Sequence, residues 1–353
     1  MDKNLNIRGV FTLLGMLLIA VPFKVEAHHS ARITYDMEQF IEIEGQVVSV
    51  FWRNPHVLFT LRELGVSGDE VLWSVETVPA ARLSRVGVTS DLLEVGGTVR
   101  IAGYPGRRPG RGVYAVNMLI EDGREILLDT PVAHWTDNTI GTGTDATPGV
   151  AGADPSLGIF RVWSTDGSFL ATETRFLTGG GDLNYPLTEQ ARVAQAAWDP
   201  LAPDNPFLTC TPKGMPIIMQ QPNPIEFQNL GNEILLKMEE FDTVRVISME
   251  EGVSEQPSTP LGHSVGYWED SALEGRALVV RTSGIDWLYF DQYGHQQSEA
   301  IETLERFTLN DAGSRLDYEL IVTDPGLFIE PVVLRKSWRW VPGDRVLPFN
   351  CTE

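Results

Sequence analysis

The sequence predicts a mainly β protein: an OB-like five-stranded barrel, then a larger antiparallel β-barrel or sandwich with one helix. Three observations predict it. Between residues 41 and 120, short runs alternate apolar and polar side chains, the period that sends one face of a strand into a core. A helical segment divides these runs three and two, which is the element order of an OB barrel. From residue 225 onward, strand-like runs follow one another with turn signals between them.

Ile41, Ile43, Val47, Val48 and Val50 mark the first strand, bent near Gly45. Val57, Phe59 and Leu61 mark the second, and Val71, Trp73 and Val75 the third. Thr77 is placed to cap a helix running from about Pro79 to Val86, with proline near its first turn. Val95-Gly96-Gly97 then turns the chain into a fourth strand, Thr98 to Ala102, and Val113 to Ile120 makes the fifth. The stretch 137–157 is rich in Gly, Thr, Pro and Asp and reads as linker. In the second domain one helix is predicted from the cap Thr188 to about Trp198, stopped by Pro200. Strands follow at Ile225–Gln228, Ile234–Met238, Val244–Met249, Val265–Trp268, Ala277–Thr282, Ile301–Leu309, Leu316–Val322 and Val332–Trp340. The expected organisation is therefore a first domain over 28–130, a linker over 131–157 and a second domain over 158–353.

Residues 1–27 read as a secretory signal peptide. Lys3 and Arg8 form its basic start, Val10 to Phe23 its apolar stretch, and Val25 and Ala27 the small residues before the cut. A periplasmic or secreted protein is expected, with no later apolar run long enough to span a bilayer. The signal carries one net positive charge, so its removal takes the formal charge from −21 to −22. So acidic a surface repels phosphate and excludes nucleic acid as a partner, despite Arg107, Arg108 and Arg111 in one loop. Two cysteines are present, Cys210 and Cys351. In an oxidising compartment they would close a long loop and tie down the C-terminus; two buried free thiols are the alternative.

Cleavage after Ala27 would expose His28, His29 and Ser30, and an α-amine beside an imidazole is a chelate for a divalent metal. His56 sits in Trp52-Arg53-Asn54-Pro55-His56, at the turn entering the second strand. An N-terminus folded back over the barrel would join His28 or His29 to His56, a nitrogen set suited to copper(II), with zinc as the other candidate. Ordinary hydrogen-bonded histidines at 29 and 56, with His28 frayed in solvent, explain the same residues. Gly262-His263-Ser264-Val265-Gly266 fits the G-x-S-x-G string of a hydrolase nucleophile elbow, but the proline-rich segment before it cannot be a central strand. The match is read as accidental. His263, His295 and Glu299, with Asp286, Glu305 and Arg306 nearby, are the candidates for acid/base catalysis in the second barrel. A rim of hydrogen-bonding groups orienting loops explains the same residues without catalysis and is the preferred reading. Trp163, Trp268, Trp287, Trp338 and Trp340 read as core.

At His28-His29-Ser30, Gly45-x-Val47 and Asn54-Pro55-His56 the chain resembles a family of exported bacterial domains of unknown function, over about residues 28–121. From Gly158 it also resembles an uncharacterised exported module. The residues that carry this are Cys210-Thr211-Pro212, Gly262 to Trp268, His295 to Glu299 and Cys351. Neither resemblance implies an activity.

The leading expectation is an exported binding protein, with copper on His28, His29 and His56 and a small apolar ligand inside the second barrel. The alternatives are a periplasmic enzyme built on His263, His295 and Glu299, and an interaction module of an envelope assembly.

Overall fold

The computed structural model describes residues 31–64, 69–107, 109–141, 155–165, 185–200, 202–250, 257–271 and 275–351. The expected signal segment 1–27, His28 and His29 lie outside them.

The first five strands are β1 (Ile41–Phe51), β2 (Leu58–Leu64), β3 (Glu70–Glu76), β4 (Thr98–Pro105) and β5 (Gly112–Ile120). Their order is β3-β2-β1-β4-β5, and a parallel pairing of β3 with β5 closes the ring. This is the expected five-stranded OB-type barrel. Ile43 and Val47 on β1 point inward to Phe59, Leu61, Val75, Val99, Ile101 and Val113, all buried. β1 serves two neighbours, and Gly45 allows it to do so. A Cβ there would lie 2.7 Å from the Arg62 carbonyl oxygen on β2. Two further short strands, β6 (Glu125–Leu127) and β7 (Thr139–Ile140), extend the sheet. The buried Glu125 carboxylate accepts the N–H groups of His134, Trp135 and Thr136 at 2.6, 2.8 and 3.0 Å. The first part of the expected linker therefore folds against this barrel.

Helix α1 (Ala31–Thr34) precedes the barrel, and α2 (Ala80–Arg85) lies between β3 and β4. The sequence assigns the α2 cap to Thr77, and the structure corrects this. The helix starts at Ala80 with Pro79 in the N-cap position, and the Thr77 hydroxyl donates to the Ala115 carbonyl at 2.9 Å instead. Asn54, twenty-seven residues upstream of Ala81, supplies the cap: its Oδ1 accepts from the Ala81 N–H at 3.1 Å.

The second domain is one nine-stranded sheet: β8 (Val162–Trp163), β9 (Ile225–Asn229), β10 (Glu233–Met238), β11 (Thr243–Ser248), β12 (His263–Ser271), β13 (Gly275–Ser283), β14 (Glu302–Leu309), β15 (Arg315–Thr323) and β16 (Val332–Arg339). Neighbours in sequence are neighbours in space, and only β11–β12 pair in parallel. The sheet curls until Ser164 and Arg339 exchange N–H···O bonds of 2.9 and 2.8 Å, nearly closing it into a barrel. Helix α3 (Glu189–Ala196) has the expected cap, with Thr188 Oγ1 accepting from Ala191 N–H at 3.1 Å.

Trp163, Phe227, Phe307, Tyr318 and Trp338 fill the interior of this barrel, each 2% exposed or less. Buried with them is an ion pair. Arg245 Nη1 donates to Glu305 Oε1 at 2.9 Å, its Nη2 to Thr282 at 2.7 Å, and Tyr318 adds a bond to Glu305 at 2.8 Å. The guanidinium and carboxylate satisfy each other and their neighbours, as burial of charge requires.

Cys210 and Cys351 are bonded, with Cα atoms 5.8 Å apart across 141 residues. The structure thus decides between the two readings of this pair in favour of the disulfide. Among the described residues no helix is long and apolar enough to cross a membrane.

Candidate functional site

Asn54-Pro55-His56 lies where the two barrels meet. Asn54 holds both sides: besides capping α2, its Nδ2 donates to the Phe349 carbonyl at 2.5 Å, and its backbone bridges to Cys351. Beside it opens a cleft of about 170 Å³, lined from one domain by Pro55, His56, Arg82 and Tyr114 and from the other by Lys213, Asn223, Glu240 and Phe349. Domain boundaries are a preferred place for ligand sites.

His56 is fixed from behind. Val57 bonds back to Val78 and accepts from Thr77, so the chain is pinned on either side of the loop. The ring Nδ1 lies 3.0 Å from the Thr77 carbonyl and 3.2 Å from Glu76 Oε1. The Thr77 carbonyl can only accept, so this hydrogen bond assigns the proton to Nδ1. Glu76 is buried at the end of β3, and its Oε2 accepts the Tyr35 hydroxyl at 2.6 Å. Tyr35 packs against Tyr114, ring centroids 5.5 Å apart, and Ala31 of α1 rests on the same small cluster. Tyr114 in turn donates to Asp129 at 2.8 Å; burial first, and then that carboxylate, push its hydroxyl well above the ordinary tyrosine range.

On the opposite wall Lys213 pairs with Glu240 and donates to Gln221 Oε1 at 2.8 Å, and Asn223 donates to Glu240 at 2.8 Å. Beneath them Lys336 is buried, its Nζ donating to the Gln221 carbonyl at 2.5 Å, 4.5 Å from the Trp338 ring. Burial pushes the Lys336 ammonium down to about 7, with Glu240 opposing. An unfolded lysine titrates near 10.4. Between these values the unfolded chain binds one more proton, so stability rises with pH across that window and the gain is absent below about 7. The slope attributable to one proton is about 1.4 kcal/mol per pH unit. Urea unfolding at pH 7, 8 and 9 should show that increment in the wild type and not in Lys336→Met; equal slopes would refute it.

The histidines and carboxylate expected to act as acid and base do not meet. His263 is half-buried at the start of β12, its Nε2 2.7 Å from the Pro257 carbonyl. His295 is buried, its Nδ1 2.7 Å from Asp291, with the Tyr185 ring packed edge-on against it. Glu299 is exposed. Among the described residues no hydrogen bond or ion pair joins the three. Ser264 of the G-x-S-x-G string stands within a continuous strand and accepts from Arg245 Nε at 2.9 Å, buried and without an elbow. His28 and His29 lie outside the described residues. Among those that are described, no three His, Cys, Asp or Glu side chains converge as a metal site.

Sequence reasoning picked out His56 and missed its surroundings. Thr77 read there as a helix cap, and Glu76, Lys213, Asn223 and Glu240 were not marked. Only Asn54, one residue before a proline that precedes a histidine, gave a signal.

No curated protein matches the chain. Residues 16–113, a span that includes Asn54-Pro55-His56, Glu76 and most of the first barrel, match the model of DUF6152, a family of unknown function.

Proposed function

We propose that the protein is an exported metal-binding protein that holds a copper-type ion at the domain boundary, with His56 as the fixed ligand. The mature N-terminal His28 and His29, with the α-amine, complete the set. One observation carries the reading: His56 stands in the wall of a cleft with Nδ1 committed to a backbone carbonyl beside a buried carboxylate. This is the support that protein-bound histidine ligands generally have.

The chain's course supports the same reading. Ala31 rests on Tyr35 and Tyr114, and Tyr114 lines the cleft. A single residue, Ser30, separates Ala31 from His29, a reach of about 7 Å for an extended chain. A nitrogen-rich set of amine and imidazoles favours copper(II) over harder cations. The Cys210–Cys351 bond accords with an oxidising compartment outside the cytoplasm.

The test is an EPR spectrum of copper(II)-loaded protein exported with its native N-terminus. A stoichiometric signal with nitrogen hyperfine structure is expected. It should weaken at least a hundredfold in affinity in His56→Ala and in a version extended by one glycine before His28. Equal affinity in all three proteins would refute the site.

A further inference from the structure

We infer that Arg161 is an anion site at the seam of the second barrel: its buried guanidinium, set against two indoles, takes the carboxylate of a small ligand that carries an apolar group. The site makes no use of His56 or of a metal.

Arg161 leads into β8, the strand that meets β16 where the barrel nearly closes, and it is 5% exposed. Arg245, Arg85 and Lys213, also buried, each pair with a carboxylate: Glu305, Glu239 and Glu240. Arg161 has main-chain oxygens instead. Its Nε donates to the Gly158 carbonyl at 2.6 Å and its Nη2 to the Gly313 carbonyl at 2.8 Å. Nη1 is buried with no hydrogen-bond partner among the described residues. Burial pushes this guanidinium below the ordinary arginine range, and no carboxylate opposes the shift. Arginine keeps its proton all the same. A buried charge with an idle donor is costly until an acceptor meets it.

The guanidinium carbon lies 4.6 Å from the Trp163 ring centre and 4.5 Å from that of Trp340. These cation–π contacts stabilise the charge but supply no oxygen acceptor to Nη1. Local sequence fixes the rest of the enclosure. In the turn Asn310-Asp311-Ala312-Gly313-Ser314, Asn310 Oδ1 accepts from the Ser314 and Arg315 N–H groups at 2.9 and 3.0 Å. Gly313 takes a left-handed φ of 64°, which glycine adopts without strain. The turn thereby presents one carbonyl to Nη2, and its Ser314 carbonyl accepts the Trp340 N–H at 2.9 Å. Cation, turn and indole form one unit at the end of the barrel.

This chemistry selects the ligand. Nη1 carries two N–H donors, and a guanidinium edge is matched by a carboxylate. One cation, already facing two carbonyl oxygens, suits a single negative charge; a phosphate dianion would bring a second charge against them. Half-buried Trp340 and Leu157, 48% exposed one residue before Gly158, offer apolar surface to the remainder of the ligand. Nη1 itself is sealed from water, so entry displaces the Trp340 indole.

Fluorine NMR of the full chain labelled with fluorotryptophan reads that ring, its resonance assigned through Trp340→Phe. The titrants are sodium benzoate, sodium acetate and inorganic phosphate, with ionic strength held constant by chloride. Benzoate should shift the Trp340 signal saturably and acetate more weakly, while phosphate leaves it in place. Arg161→Lys keeps a cation and loses the planar donor edge, so benzoate affinity should fall at least about tenfold. Arg161→Met should abolish binding; if that variant does not fold, the lysine variant decides. A Trp340 signal indifferent to benzoate overturns the proposal, as does equal affinity in Arg161→Lys. Phosphate bound as tightly as benzoate overturns the choice of a carboxylate.

Discussion

Arg85→Ala is expected to undock the two barrels at a cost of about 3–5 kcal/mol, the penalty for orphaning a buried charge. Arg85 stands at the end of α2 in the first domain and reaches Glu239 in the second, with Nη1 2.8 Å from Oε1, and Asp344 at 3.3 Å. Glu239 is fully buried and also accepts the Leu347 N–H at 2.8 Å. Removing the guanidinium leaves two carboxylates facing each other without a cation. Calorimetry should then resolve two transitions where the wild type shows a more cooperative one, and X-ray scattering should report a larger radius. Arg85→Ala with Glu239→Gln removes the orphaned charge as well and should recover part of the loss. A loss under about 1 kcal/mol would place this pair among ordinary surface ion pairs and refute the claim.

Loss of the disulfide has an effect of similar size by a different route. Cross-linking residues 141 apart restricts the unfolded chain, and a bridge of this kind contributes about 2–5 kcal/mol. The bond also has a position of consequence. The tail it anchors carries Asp344, Leu347 and Phe349, which bond to Arg85, Glu239 and Asp242, while Asn54 holds the Phe349 carbonyl. This tail is the strap between the domains. Cys210→Ser with Cys351→Ser should lower the denaturant midpoint accordingly and make residues after Val341 the first site of proteolysis. Reductant should do the same to the wild type and nothing further to the double variant. A tail equally protected in both would show that packing holds it without the bond.

Much of the fold was legible because strand periodicity is local. The alternation of Ile41, Ile43 and Val47, or of Leu316, Tyr318, Leu320 and Val322, states which face is buried whatever the partner strand. The order of elements in the first domain then named the barrel, and the proline-rich approach to Ser264 ruled out the elbow. Thr77 shows the limit. As a residue before a helix it reads as a cap, but the barrel offered its hydroxyl the Ala115 carbonyl, and a side chain from another loop took over the helix end. A hydrogen-bonding preference is local; which partner satisfies it is not.

The candidate site divides in the same way. The residue pattern alone was enough for the two β barrels, and for His56 in Asn54-Pro55-His56 as a residue to watch. Only the tertiary structure decided that Asn54 ties the first barrel to the C-terminal strap and that Cys210 and Cys351 are bonded. It alone set His56 on Glu76 and Thr77, facing Lys213 and Glu240, and kept His263, His295 and Glu299 apart. The physical reason is that side-chain patterning records whether a residue is buried, through water's exclusion from apolar surface. Hydrogen bonds and ion pairs act over a few ångströms between groups that the chain brings together from far along its length. Their geometry exists only once both barrels have closed.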